Sequence, residues 1–114
     1  MILIIRKKVT PEQLRQMLEE YPAEAYVKVA VDVEQRILAG GGQMHADCEK
    51  VLLEAGSHQE NVWGAGWYVD EQLMAYDSLI NVRPSQGNRG LELQDEGLRE
   101  QVREIVTEIF EGIR

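Results

Sequence analysis

The stretch AYVKVAVDVEQRILAGGGQMHADCEKVLLEAG, Ala25 to Gly56, decides the fold, because it runs without interruption through a strand, a turn, a second strand, a glycine triplet and a helix. Val27, Val29, Val31 and Val33 alternate with Lys28, Ala30, Asp32 and Glu34, which is the period of two of a half-buried strand. The chain turns at about Glu34-Gln35. A second strand from Arg36 to Ala39 then runs into Gly40-Gly41-Gly42. Beyond the glycines the spacing becomes helical: Met44, Cys48, Val51, Leu52 and Ala55 share one face, and Gly56 is placed to end the helix as its C′ residue.

Upstream, Ile2 to Arg6 reads as a short strand. Thr10-Pro11-Glu12-Gln13 then announces a helix, with Thr10 as N-cap, Pro11 at the first helical position and Gln13 completing a capping box. Leu14, Met17, Leu18 and Tyr21 form its apolar stripe, and Pro22 stops it. Downstream, Val62 to Val69 and Leu73 to Val82 read as two more strands joined through Asp70-Glu71-Gln72. Gly64 and Gly66 on one face of the first mark a bulge or a close approach by backbone or ligand. Arg83 to Gln94 is rich in turn residues. Asp95 then caps a last helix that carries Leu98, Val102, Ile105, Val106, Ile109, Phe110 and Ile113. The order β-α-β-β-α-β-β-α predicts an α+β fold, one domain over residues 1–114, with a mainly antiparallel sheet and its helices packed on one face. Val29, Val31, Leu52, Ile80, Val102 and Ile105 are its expected core.

Twelve basic against twenty acidic residues give a formal net charge of −8, so the average field repels nucleic acid and anionic membranes. The single cysteine, Cys48, cannot close an internal disulfide, which fits a reducing cytoplasm. Met1 to Ile5 is apolar but is followed at once by Arg6-Lys7-Lys8, the reverse of a secretory signal, and is too short to cross a bilayer. The expectation is a soluble cytoplasmic protein with no membrane partner. Apolar residues at the amino terminus and along the last helix look more numerous than a small core absorbs, which predicts a homo-oligomer, with a dimer the simplest form.

Three segments hold candidate chemistry. Asp32, Glu34, His45 and Glu49 are residue types that bind a metal or move a proton, and His45 and Glu49 stand one helical turn apart. Against this, Cys48 lies on the apolar stripe and no complete metal motif is present, so a polar pair beside a core cysteine is the plainer reading. Gly40, Gly41 and Gly42 stand between a strand and a helix, where bare N–H groups can hold an anion, or where glycine merely permits positive φ. The loop with Arg83, Ser85, Asn88 and Arg89 gathers guanidinium, hydroxyl and amide groups suited to a small anion, or else ties itself down through salt bridges and turn bonds. Trp63, Trp67, Tyr68 and Tyr76 are assigned to core or interface, since no basic residues interleave with them. No motif calls for a cofactor.

The runs Val29-Ala30-Val31-Asp32-Val33-Glu34, Ile37-Leu38-Ala39-Gly40-Gly41-Gly42, His45-Ala46-Asp47-Cys48-Glu49 and Asn81-Val82-Arg83-Pro84-Ser85-Gln86 resemble a family of short bacterial proteins, common in cyanobacteria, that carries only a domain-of-unknown-function label. The likeness covers nearly the whole chain. It implies a free-standing domain and brings no catalytic residue with it. The leading expectation is a small non-catalytic binding or interaction protein. Two alternatives stand beside it: a metal-dependent or acid–base hydrolase around Asp32, Glu34, His45 and Glu49, and a small-anion or nucleotide binder built on Gly40–Gly42 and the Arg83–Arg89 loop.

Overall fold

Seven consecutive residue pairs, from Tyr26↔Tyr68 to Asp32↔Val62, join β2 (Tyr26–Asp32) to β4 (Val62–Tyr68) and form the spine of the sheet. The computed structural model describes residues 1–114. Outside the spine lie β3 (Ile37–Gly40), β1 (Leu3–Ile5) and β5 (Leu73–Ala75), giving the antiparallel order β1-β3-β2-β4-β5. The helices are α1 (Pro11–Met17), α2 (His45–Glu54) and α3 (Glu96–Phe110). Thr10 and Gln13 close the expected capping box, Asp95 accepts the Leu98 N–H to start α3, and Gly56 follows α2 at φ +109°. No helix is long and apolar enough to cross a membrane.

The pleat sorts the strand residues onto two faces. Val27, Val29, Val31, Leu38, Ala65 and Trp67 pack with α1 and α3, where the Trp67 and Phe110 rings stack 6.2 Å apart. Ala30, Ile37, Ala39 and Val62 look the other way and pack with Cys48 and Leu52 of α2. The helices therefore cover both faces, which corrects the expectation that all lie on one. The reason is side-chain size. On the second face Ala39, Ala30 and Gly64 are neighbours across three strands, and this low row lets α2 settle close to the backbone.

Two more expectations change. The strand from Leu73 to Val82 is real only over Leu73–Ala75, after which the chain turns through a short 3₁₀ segment at Leu79–Asn81. The side chain of Asn81 takes over from the ladder. Its Oδ1 accepts the Gly64 N–H at 2.8 Å and its Nδ2 donates to the Gly64 carbonyl at 2.9 Å, so one buried carboxamide does what a pairing peptide would do. Gly64 and Gly66 mark no bulge, because the pairing register runs through both unbroken. The last helix also offers no surplus face: Val102, Ile105, Val106, Ile109 and Phe110 are all buried in the chain's own core, while Ile80 is only half-buried.

Replacing Asn81 with alanine should strand the Gly64 N–H and C=O in a buried setting. At about 1–3 kcal/mol for each unpaired group, urea unfolding should show a loss of about 2–6 kcal/mol. A loss under about 0.5 kcal/mol would remove Asn81 from that role.

Candidate functional site

α2 covers the row of small residues and then stops, leaving the remaining part of the same face open. There Lys28, Gly66 and Ala75 form the next row across the sheet, and Tyr26, Tyr68 and Leu73 the one after. Because Gly66 lacks a Cβ, the Tyr26 ring settles over it, at a place where any side chain would overlap the phenol. The Tyr26 and Tyr68 rings lie 4.5 Å apart, tilted by 34°. The first turn of α2 forms one wall and the Asp77–Ile80 segment, held down by Asn81, forms the other. Between them is a cavity of about 490 Å³, a volume in the range of small-molecule sites. Leu79, Met44 and Leu91 stand exposed at its mouth.

The polar groups facing the cavity are held in defined states. His45 meets the Ala65 carbonyl at 2.8 Å through Nε2. A carbonyl only accepts, so Nε2 carries the proton and Nδ1 presents a lone pair. Burial pushes the imidazole below its ordinary value and Lys28 adds to this, while the Ala65 bond and Asp77 oppose it, leaving a neutral ring at pH 7. Burial, with the nearby Tyr68, Asp77 and Tyr21, also raises the Tyr26 phenol, which stays protonated and able to donate. Lys28 donates to the Gln43 carbonyl at 2.7 Å and to the Tyr21 hydroxyl at 3.3 Å, and lies 5.0 Å from the Tyr21 ring centre. It pairs with no carboxylate. Met44, the N-cap of α2, supplies no side-chain cap, so Met44, His45 and Ala46 bring an open helix start to the same cavity.

Of the residues expected to bind a metal, a proton or an anion, only His45 lines this cavity; Tyr68, assigned to core or interface, and Ile80, expected in the core, line it as well. Asp32 is buried at the end of β2, where its carboxylate accepts the N–H groups of Glu34 and Gln35 at 3.0 Å and the Gln35 side chain at 2.9 Å. Burial alone would raise it, but these bonds and one from Ser57 prevail and hold it below the usual carboxylate range. Glu34 is exposed in the turn. Glu49 turns away to Arg83, and no group of three or more His, Cys, Asp or Glu residues surrounds a common point, so the hydrolase and metal constellation is not assembled. Cys48 sits buried beneath the small row, with its thiol pushed up to about 11 by burial, and is unreactive there.

Of the expected anion elements, Gly41, Gly42, Arg83 and Asn88 are built into the packing and hydrogen bonding of the fold. Gly41, at φ +102°, lies against the Met1 backbone and Met17, and Gly42 lies against Ile2 and Cys48; both are buried, with Gly40 pressed against Val29 and Met17. Arg83 meets Glu49 at 3.5 Å, donates to the carbonyls of Ile80 at 3.0 Å, Gln59 at 2.8 Å and Val62, and stacks 4.2 Å from the Trp63 ring. Asn88 is buried and donates to the carbonyls of Asn81, Gly90 and Glu92. Ser85 and Arg89 remain exposed. The sequence reading missed Tyr26, Lys28, Asp77 and Leu79. Its one usable signal was the Gly64/Gly66 pair, read as a place of close approach.

Two predictions follow from this geometry. Arg83→Gln should lower stability in chemical denaturation by about 1–3 kcal/mol, since it leaves the half-buried Glu49 and the carbonyls of Ile80, Gln59 and Val62 without their partner, whereas Arg89→Gln should change it by less than about 0.5 kcal/mol. Equal small effects would return both arginines to a free surface loop. His45 has a lowered value in the folded state, so its stabilisation is complete above about pH 6.5 and is lost as pH falls through the folded value, where a buried charge must form. Thermal melts from about pH 7.5 down to about pH 5 should decline more steeply for the native protein than for His45→Gln. Asp32 acts in a separate window, below about pH 4. Parallel declines for the two proteins would place the acid sensitivity elsewhere.

Searches of curated proteins and of solved structures return no match to this chain. One family model does match, over residues 3–109, so nearly all of the sheet and helices described above lies within it. The chain belongs to that family, described as a protein of unknown function (DUF5674).

Proposed function

We propose that this protein is a non-catalytic binding domain that takes a small organic ligand into the cavity between β2, β4, the start of α2 and the Asp77–Ile80 segment. The observation that carries this reading is a cavity of about 490 Å³ with a mostly apolar and aromatic lining and a few polar groups held in fixed states. The reactive groups favour binding over chemistry. His45 is neutral with one nitrogen committed, Tyr26 stays protonated, and Cys48 is buried and protonated away from the cavity.

A neutral fluorescent arylamine, N-phenylnaphthylamine, serves as the probe. It should bind one molecule per chain with micromolar affinity. Ala46 is exposed on the cavity wall, so Ala46→Trp should block entry and weaken binding at least about tenfold, near 1.4 kcal/mol, with an unchanged melting temperature. Undiminished binding in that variant would overturn the reading.

The mouth supports a second reading, in which another copy of the chain covers it. Leu79 is 75% and Met44 54% exposed, beside Leu91 and Tyr68. In that case light scattering on the 13.0 kDa chain gives about twice that mass, and Leu79→Asp returns it to the monomer value.

A further inference from the structure

We propose that the ligand is an organic monoanion, an apolar ring-bearing body that lies against Tyr26 and Tyr68 and carries one acidic group held at Lys28. The proposal rests on the reading of the cavity as a binding site and adds the class of compound it takes.

Three features of the site lead to it. The first is Lys28 itself. It is half-buried on the open face of β2, its hydrogen-bond partners are both neutral, and no Asp or Glu pairs with it in a chain that carries twenty of them. Its two neutral partners leave the positive charge uncompensated, so an anion brought to the cavity meets an ammonium that no carboxylate already occupies.

The second is position. The Gln43 carbonyl and the Tyr21 hydroxyl anchor the ammonium beside the first turn of α2, whose N-cap gives no side-chain acceptor to the free N–H groups. Both features are positive and both border one cavity. The only acidic residue in that first turn, Asp47, is exposed and is not part of the cavity wall.

The third is the opposite wall. Asp77, just past β5, lies two strands away from Lys28 across the sheet, about 10 Å at ordinary strand spacing. The cavity is thus polarised, positive at the α2 end and negative at the β5 end. An anion is directed toward Lys28, and the apolar body falls between, on the two tyrosine rings. The neutral His45, with Nδ1 free to accept, and the protonated Tyr26 can then contact polar atoms of the body without adding charge. The net charge of −8 opposes an anion at long range, but at physiological ionic strength that field is screened beyond about 8 Å, so contact electrostatics decide.

The test compares two probes with the same arylamine body. Anilinonaphthalenesulfonate carries an anionic sulfonate and N-phenylnaphthylamine carries none, and calorimetry on the full chain gives both affinities and the stoichiometry. The native protein should bind the sulfonate at least about tenfold more tightly than the neutral probe, one molecule per chain. Lys28→Met should bring that ratio near one and Lys28→Arg should restore it. Raising salt should weaken the sulfonate and leave the neutral probe unchanged, a readout that needs no variant. If both probes bind the native protein equally, or if Lys28→Met leaves the ratio as it was, the anion proposal falls and the binding reading survives. If neither probe binds, both fall.

Discussion

The carboxamide of Asn81 is the small element on which the open half of the molecule depends. By accepting from the Gly64 N–H and donating to its carbonyl, it ends the sheet on that side of β4 as a pairing strand would, yet lets the chain leave the sheet. The same amide reaches the carbonyls of Tyr76 and Leu91, and Asn88 binds the Asn81 carbonyl in turn. The irregular segment from Asp77 to Gln94 is therefore fixed by two buried asparagines. A buried network of this kind is worthwhile only when every member is paired, and here each is.

Residue size on the sheet decides what happens on either side of that anchor. The row Ala39, Ala30, Gly64 is low enough for α2 to lie on it, and Cys48 and Leu52 fill the space. One row further on, Lys28 and Gly66 stand in place of apolar bulk, and the Tyr26 ring occupies the hollow above Gly66. The cavity is where a covering helix ends and small residues continue. Its polar groups follow from the same geometry: His45 is the first residue of α2, and Lys28 faces the side of the sheet that α2 only partly covers.

Local reading succeeded where neighbours in sequence determine structure. The capping box at Thr10 and Gln13, the Asp95 cap and the terminating Gly56 are all present as expected, since each rests on contacts within a few residues. β2 forms where the alternation places it, although α2 buries its second face too, so that from Val29 to Asp32 the strand is buried on both sides and not half-buried. The same reading left alternatives open where a distant partner decides. For Arg83 the sequence leaves open a free guanidinium or a salt-bridged one, and it is Glu49, thirty-four residues earlier, with three carbonyls, that holds it in the fold. Asp32, His45 and Glu49 are close in the chain, which leaves a shared site open beside the plainer reading of a polar pair. Each points to a different partner: its own turn, the Ala65 carbonyl and Arg83.

From the sequence alone come the α+β class, the order of helices and strands, an acidic surface and a family likeness that brings no activity; periodicity, caps and charge count are properties of adjacent residues. Only the tertiary structure decides which faces of the sheet the helices cover and where a cavity remains. Whether Ala30 and Gly64 lie under a helix, or Lys28 and Gly66 lie under none, depends on how far α2 reaches across strands that meet it from residues Tyr26 to Tyr68. That is a matter of packing distance between segments, and no local pattern encodes it.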